Sequence, residues 1–382
     1  MPANSASPAG QLLESCRRLG CHQRRGARDE DLHASSRSFD NGDERRRLAV
    51  TSGCHADGGE SVPDSERPAV RAAPGPTRGT DVYDELRPLL FSIAYRMVGS
   101  VSDAEDIVQE AYLRYHRATQ DGTRIDSPKA YLSTIATRLA VDHLRLARVR
   151  REQYIGPWLP EPLLTDPAPD AAQHAETADS MSMAFLVLLE SLSPVERAVF
   201  LLREVFDYPY HEIARIVDKT EENCRQLAVR ARRRIAERRP RFDADRRQRD
   251  ELMRRFLAAC EEGDVDGLVR LLAEDVVFYG DGGGTGFGLP NPVHGRGRVS
   301  RLLQGFMRQV NQAGLTLVPV EVNGQPGAQC LTGDGRLVNV ISIDVGDGLI
   351  QTVRSVINPA KLRHLAPLAD LPALYGERPA RD

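Results

Sequence analysis

The sequence predicts a multidomain protein in which two all-α domains precede one α+β domain. Apolar residues recur at helical spacing from Asp81 to residue 241, and two helices in this part are joined by a tight turn. After residue 246, helices are followed by a glycine-rich turn and three β-rich stretches, an order typical of an α+β domain with a curved sheet. The length of 382 residues allows two or three domains at roughly 150 residues each.

Composition and charge exclude several classes of protein. Hydrophobic residues make up 41% of the chain, and 51 Lys and Arg nearly balance 54 Asp and Glu. The 6 Cys show no regular pairing, which excludes a disulfide-stapled secreted scaffold. No apolar run approaches the roughly 20 residues of a membrane span, and the first residues lack the apolar core of a signal peptide. We therefore expect a soluble, cytoplasmic protein without membrane contact.

Residues 1–80 differ in composition from the rest of the chain. They are rich in Ser, Gly, Pro, Arg and Asp and show no sustained periodicity, which predicts a disordered N-terminal extension. Several metal-ligating residue types occur here, namely Cys16, Cys21, His22, Cys54 and His55. Their spacing matches no zinc finger, so we expect neither a metal site nor a cofactor.

The first helical domain, residues 81–151, is predicted to contain three helices. Ser102 is the expected N-cap of the second helix, with Glu105 completing a capping box. The third helix is expected to begin with Ser127 as N-cap and Pro128 in its first turn.

The second and third helices carry faces of opposite charge. The second has an acidic face made by Asp103, Asp106 and Glu110, with Gln109 beside them. The third has a basic face that continues to the end of the domain and comprises Arg138, Arg145, Arg148, Arg150 and Arg151. The basic face suits a DNA backbone. The acidic face would repel DNA and suits a basic protein surface, although a plain solvated helix is an equal alternative.

Residues 152–178 are predicted to form a linker, because prolines recur in them and prevent regular helix. Trp158, the only tryptophan of the chain, lies in this linker beside Leu159 and Pro160. A lone tryptophan in a proline-rich linker usually docks on another surface.

Residues 179–241 are predicted to form a second helical domain that contains a helix-turn-helix. Ser193 and Glu196 form a capping box, and Thr220 caps a long helix after a tight turn. The outer face of that helix is rich in side chains that bind base edges bidentately in the major groove or contact phosphates: Asn223, Arg225, Gln226, Arg230, Arg233 and Arg234. We therefore expect DNA binding, with a solvated basic helix as the alternative.

The α+β domain is predicted to span residues 246–370, followed by a tail at 371–382. Its glycine-rich turn at Asp281 allows close backbone approach. Together with Trp158, this turn suggests a domain that clamps the linker and holds the two DNA-reading domains at a fixed spacing. An ordinary turn and a buried tryptophan are the alternative.

Several motifs resemble those of bacterial sigma-70-type factors of the extracytoplasmic-function class. Residues 102–113 (SDAEDIVQEAYL) look like the helix of region 2.2 that binds core RNA polymerase, and residues 127–144 are similar to the region that recognises the promoter −10 element. Residues 192–235 resemble region 4, which reads the −35 element. The resemblance covers roughly residues 81–241 and implies a sigma factor with core RNA polymerase and promoter DNA as partners. It implies polymerase binding through the acidic face, −10 contacts through the basic face and −35 contacts through the helix-turn-helix.

Three short signatures resemble the sigma-J type, in which a SnoaL-like domain of the nuclear-transport-factor-2-like fold is fused to the C-terminus. The first signature is residues 158–162 (WLPEP), in which Trp158, Leu159 and Pro160 are the candidate regulatory residues. The other two comprise Asp281, Gly282, Gly283 and Gly284; and Asn358, Pro359 and Lys361. The resemblance implies that this domain forms an α+β cone, packs against the sigma part and regulates it in place of a separate anti-sigma protein. The sequence departs from the family pattern at Thr285, where Lys is usual, and at Ala360, where Asp is usual. These departures remove one salt bridge that could join the last two signatures.

The implied C-terminal fold also hosts isomerases and cyclases, and four residues of suitable chemistry are available: Asp275, Tyr279, Asp281 and His294. No nucleophile–base spacing or metal set stands out among them, so we expect no enzymatic activity. Whether this domain binds a small-molecule ligand is left open by the sequence. The alternative function is a ligand-sensing, one-component helix-turn-helix regulator, which would have no use for the acidic helix face.

Overall fold

The computed structural model describes residues 79–152, 154–165, 180–238 and 246–376, and in this part of the chain two helical units lie against an α+β domain. The predictions for residues 1–78, including the disordered extension and its cysteines and histidines, lie outside the described residues, as does the end of the tail. Within the described ranges, none of the helices is both long and apolar enough to cross a bilayer.

The first helical unit consists of α1 (Gly79–Val98), α2 (Val101–Gln120) and α3 (Pro128–Glu152). The predicted N-cap of α2 at Ser102 is wrong. Ser100 occupies that position, with extended backbone at φ −128° and ψ 133°, and its hydroxyl accepts a hydrogen bond from Asp103 N at 3.2 Å. The chain reverses at Gly99 with φ +70°, so the helix begins before Ser102. The predicted cap at Ser127 is confirmed, since its hydroxyl accepts from Ala130 N at 3.2 Å.

The second helical unit consists of α4 (Met183–Leu189), α5 (Pro194–Glu204), α6 (Tyr210–Val217) and α7 (Glu221–Arg238). The predicted capping box of Ser193 and Glu196 is present at the start of α5. Asp218 ends α6 in the left-handed conformation, and the Thr220 hydroxyl accepts from Asn223 N at 3.2 Å to cap α7. The predicted helix-turn-helix is therefore the pair α6 and α7.

One hydrophobic core runs through both helical units. It joins buried side chains of α1 and α3, such as Leu90 and Leu132, to those of α5 and α6, such as Leu201 and Ile213. A buried hydrogen bond of 2.9 Å between the hydroxyls of Ser133 and Tyr208 crosses the same boundary. The two units consequently pack directly on each other.

The C-terminal domain contains three helices on one side of a sheet: α8 (Arg246–Glu262), α9 (Val265–Leu271) and α10 (Arg296–Gln312). Its own strands are β2 (Leu272–Asp281), β3 (Val293–His294), β4 (Thr316–Val322), β5 (Gln325–Leu331), β6 (Leu337–Gly346) and β7 (Leu349–Val356). A 3-10 turn (Pro359–Lys361) and α11 (Leu371–Tyr375) follow. The linker contributes a further strand, β1 (Leu164–Thr165).

The sheet has the strand order β1-β4-β5-β6-β7-β2-β3, with β2 and β7 parallel and the other pairs antiparallel. One face packs on α8, α9 and α10 through side chains such as Ile341 and Val353. The opposite face carries Val340 and Val356, which pack against Leu159 of the linker and Met183 of α4. Both faces are therefore covered, and the second one holds the linker. The predicted fold class, two helical units followed by an α+β domain, is confirmed.

Candidate polymerase and DNA interfaces and the linker clamp

The acidic face of α2 is largely open to solvent. Asp106 and Gln109 are exposed, whereas Glu110 is half-buried and pairs with Arg114 Nε at 2.7 Å. Asp103 lies 3.4 Å from His143 Nε2 of α3. Leu113, one helical turn beyond Gln109 and Glu110, is 39% exposed and adds an apolar side chain to this face that the sequence analysis did not single out.

The basic face of α3 is partly engaged by the second helical unit. The guanidinium of Arg138 donates to the carbonyl oxygens of Arg215 and Ile216 at 2.9 Å each. These carbonyls end α6, where the helix dipole favours a positive charge. Arg145 is exposed and pairs with Asp142 at 2.9 Å. The side chains of Arg148, Arg150 and Arg151 lie outside the described residues.

The outer face of α7 presents all six predicted DNA-contacting residues as exposed side chains: Asn223, Arg225, Gln226, Arg230, Arg233 and Arg234. Their guanidinium groups are oriented by neighbouring acids, with Arg225 2.7 Å from Glu221 and Arg233 2.8 Å from Glu237. The structure thus places these residues on the solvent-exposed half of α7, with Arg225 and Arg234 on its two flanks.

Glu196 connects the start of α5 to α7. Its carboxylate accepts hydrogen bonds from the backbone and hydroxyl of Ser193, and it lies 2.9 Å from Arg234 and 3.9 Å from Arg230. Burial disfavours the charged form of Glu196, but the Ser193 hydrogen bonds and the two arginines outweigh this effect and lower its pKa.

The linker is held by a buried cluster that we call the linker clamp: Tyr154, Trp158 and Leu159 of the linker with Asp281, Asn358 and Lys361 of the C-terminal domain. The Asp281 side chain, 0% exposed, accepts from Leu159 N at 2.8 Å and pairs with Lys361 Nζ at 2.7 Å. The Tyr154 hydroxyl donates to the same carboxylate. Lys361 also donates to the Leu159 carbonyl, and its ammonium lies 4.4 Å from the centroid of the Trp158 ring. Burial, followed by the charge of Asp281, raises the pKa of Tyr154.

The two C-terminal signatures meet in this clamp. Gly283 has φ +60°, and a Cβ added there would lie 2.3 Å from Asn358 Nδ2, so glycine is required for this approach. Asn358 Nδ2 in turn donates to the Tyr154 hydroxyl at 2.9 Å. Thr285 and Ala360 cannot form the salt bridge of the family pattern. The two C-terminal signatures are nevertheless in contact. Asp281 and Lys361 supply an ion pair instead.

Glu161, also in the linker, caps the helix that carries the acidic face. Its carboxylate accepts from Val101 N at 2.7 Å and from the Ser100 hydroxyl at 2.9 Å, which satisfies donors at the start of α2. Beside it, His364 of the C-terminal domain contacts the Pro162 carbonyl at 2.8 Å through Nε2. The linker consequently connects α2 to the C-terminal domain.

Asn323 joins three parts of the chain at one point. Its side chain accepts from Leu163 N of the linker at 2.9 Å and donates to the Tyr95 hydroxyl of α1 at 2.7 Å and to the Met181 carbonyl at 3.0 Å. Burial raises the pKa of Tyr95, whose hydroxyl donates to the Glu161 carbonyl at 2.6 Å. Tyr154, Glu161 and Asn323 were missed by sequence reasoning, although Glu161 lies within the Trp158 signature.

The four residues considered for catalysis do not converge. Asp275 and His294 are exposed, whereas Asp281 belongs to the clamp and Tyr279 lies on the linker-facing side of the sheet. Among the described residues, no group of three His, Cys, Asp or Glu could hold a metal. A cavity of about 200 Å³ near Cys260, Leu268 and Met307 is smaller than the roughly 300 Å³ of typical ligand pockets.

Three family models match consecutive parts of the chain: Sigma-70 region 2 at residues 82–150, Sigma-70, region 4 at residues 182–235, and the SnoaL-like domain at residues 253–352. The ECF RNA polymerase sigma factor SigJ of Mycobacterium tuberculosis is 37% identical over 294 residues, which cover 73% of this chain and 91% of that protein. The probable ECF RNA polymerase sigma factor SigI of the same species is 34% identical over 278 residues, covering 72% and 92% respectively.

The fold agrees with these similarities. The crystal structure of the M. tuberculosis extracytoplasmic function sigma factor SigJ matches with a TM-score of 0.61 at 34% identity, covering 76% of this chain and 100% of that one. The region 2 match includes α2 and α3, which a one-component regulator does not need, so that alternative is not favoured. The chain belongs to the extracytoplasmic function sigma factors of the sigma-70 family, which direct transcription, and it carries a SnoaL-like domain at its C-terminal end.

Proposed function

We propose that this sigma factor binds core RNA polymerase through α2, contacts the −10 element through α3, reads the −35 element through α7, and is regulated by its own SnoaL-like domain through the linker clamp. The corresponding units are residues 81–151 for region 2, 179–241 for region 4 and 246–370 for the regulatory domain. The ion pair between Asp281 and Lys361, buried around the linker backbone at Leu159, is the observation that carries the regulatory part.

The polymerase contact is supported by the composition of the exposed α2 face. Asp106 and Gln109 supply a polar rim, and the exposed Leu113 supplies an apolar centre. Protein interfaces commonly combine an apolar centre with a polar rim, and acidic side chains select a basic partner surface.

The packing of region 2 on region 4 supports a closed, inactive conformation. The −10 and −35 elements lie about 25 base pairs apart, or about 85 Å along a duplex that rises 3.4 Å per base pair. In the structure α3 and α6 touch, with Arg138 Nε 2.9 Å from the Ile216 carbonyl. Both elements therefore cannot be contacted at once until the two regions separate, and separation also frees Arg138 for DNA.

The clamp is suited to hold this closed conformation. Its donor and acceptor groups come from the linker and from the fused domain, so they meet at the effective concentration of a tethered pair, on the order of mM. Asp281 is used for linker contacts, which supports a binding role for the SnoaL-like domain rather than catalysis. A signal that releases the linker would allow regions 2 and 4 to spread.

Asp106→Arg tests the polymerase interface. We expect the full-length variant to keep the circular dichroism and melting temperature of the wild type, because Asp106 is exposed, and to lose co-elution with core RNA polymerase in size-exclusion chromatography at about 0.15 M salt. Glu85→Arg, an equal change of charge on the exposed side of α1, is the matched control and should co-elute. Unchanged co-elution of the Asp106 variant would contradict the assignment of this face.

A further inference from the structure

Three large aliphatic side chains are notably exposed in the described part of the chain: Leu113 at 39%, Leu146 at 73% and Val229 at 59%. Val229 lies near the middle of α7, the second helix of the helix-turn-helix. It is not needed for the core, since α7 packs inward through Cys224, Ala228 and Ala231.

The surroundings of Val229 are entirely polar. On a helix its surface neighbours are the residues three and four positions away, which are Arg225, Gln226, Arg232 and Arg233, all of them exposed. A row of hydrogen-bond donors is thus interrupted by one aliphatic side chain at its centre. Two of these donors are pre-oriented by acids, Arg225 by Glu221 at 2.7 Å and Arg233 by Glu237 at 2.8 Å.

The major-groove edges of the bases offer one apolar group that an aliphatic side chain could contact. Guanine and adenine present polar atoms there and cytosine presents an amino group, whereas thymine alone adds a C5-methyl group. Valine in a helix also holds one strongly preferred χ1 rotamer, so little side-chain freedom is lost on contact.

We propose that Val229 reads the methyl group of a thymine in the −35 element and thereby specifies an A·T pair at one position. This proposal rests on the proposed insertion of α7 into the major groove of that element. The flanking donors, Gln226 and Arg230 in particular, then read neighbouring purines, and Val229 excludes a G·C pair from its own position by leaving the cytosine amino group without a partner.

The test removes the methyl group from the DNA and the valine from the protein. Preferred −35 sequences are first selected from a randomised promoter library with the holoenzyme formed from the full chain and core polymerase. Each thymine of the selected element, on either strand, is then replaced singly by deoxyuridine, and holoenzyme affinity is measured by fluorescence anisotropy. For the wild type, we expect one substitution to weaken binding about fourfold, the effect of one buried methyl-sized group, and the others to change it little.

In Val229→Ala, deoxyuridine at that position should no longer weaken binding. In Val229→Ile, it should weaken binding as in the wild type. We call this loss of affinity the uracil effect. Leu146→Ala, which shortens an exposed aliphatic side chain on α3, should keep the uracil effect and is the matched control. The proposal is overturned if no deoxyuridine substitution affects the wild type, or if the effect persists in Val229→Ala. Failure of the underlying −35 assignment gives a different result, because the library then yields no preferred sequence in this element.

Discussion

Lys361→Met is the most informative perturbation of the linker clamp. The lysine side chain is 8% exposed, its ammonium is paired with a fully buried carboxylate at 2.7 Å, and it also donates to the Leu159 carbonyl. Methionine keeps much of the aliphatic stem and removes the charge. Asp281 is then left buried without its cation.

The free-energy cost of Lys361→Met follows from the burial of the ion pair between Asp281 and Lys361. Removing one partner of a buried ion pair costs about 3–5 kcal/mol, and the lower end applies here because Asp281 keeps the hydrogen bonds from Leu159 N and Tyr154. A cost of about 3 kcal/mol shifts the docking equilibrium of the linker more than 100-fold toward release. Promoter-dependent transcription by the holoenzyme should rise in the same variant, because release of the linker weakens the proposed closed, inactive conformation.

Trp158 supplies the assay, since it is the only tryptophan of the chain and lies in the clamp under the Lys361 ammonium. We expect the full-length variant to show a red-shifted tryptophan emission and stronger quenching by acrylamide at temperatures where circular dichroism is unchanged. Lys219→Met, at an exposed lysine of the helix-turn-helix turn, is the matched control and should leave the emission as in the wild type.

A second variant keeps the reasoning testable if Lys361→Met folds poorly. The double variant Asp281→Asn with Lys361→Met removes both charges, so it should be less destabilised than the sum of the single changes in urea unfolding. Strict additivity, or an unaltered Trp158 emission in a folded Lys361→Met protein, would refute the ion pair as the element that holds the linker.

Three further predictions concern other parts of the molecule. Arg230→Ala should cost about 1–3 kcal/mol at one −35 position, and a uniform loss over all promoter variants in a binding series would contradict base readout. The lowered pKa of Glu196 means that its carboxylate stabilises the fold above the ordinary pKa near 4.5 and that this contribution is lost as pH falls through the lower folded-state value. The free energy of unfolding in urea should accordingly fall less in that acid range for Glu196→Gln than for the wild type. An equal fall with pH in both proteins would contradict this prediction. Burial raises the pKa values of Cys260 and Cys330 to about 12, so only about one thiol in 10⁴ is ionised at pH 8. Mass spectrometry should find both unmodified by iodoacetamide in the native chain and modified in urea, whereas labelling of the native chain would contradict their burial.

Local chemistry explains why much of the helical part could be predicted from the sequence. The caps at Ser127 and Ser193 act within three residues of their helix starts, so the sequence contains all that determines them. Ser100 was missed because Ser102 with Glu105 offers an equally good local pattern. The choice between them depends on the reversal at Gly99 and on the distant carboxylate of Glu161.

The missed parts depend on contacts between residues far apart in sequence. The three β-rich stretches predicted at residues 315–322, 337–345 and 349–357 did not include β5. This strand contains Pro326 and Gly327, which disfavour a strand, but pairing on both sides with β4 and β6 imposes one. Tyr154 and Asn323 are polar residues without a motif of their own, and only the fold brings them to Asp281 and Tyr95. The contacts of the predicted DNA- and polymerase-binding residues stay predictions, because they depend on partners outside the chain.

The linker strand β1 is the edge strand of the C-terminal sheet and covers one end of β4. Leu164 and Thr165 pair with Val322 and Glu321, so withdrawal of the linker uncovers the backbone of the last two residues of β4. Open edges invite pairing with other chains, and natural proteins blunt them with proline and charge. β4 carries both features, Pro319 without a backbone N–H and Glu321 with a carboxylate. Proline and charge at this edge disfavour its pairing with another chain once the linker is withdrawn.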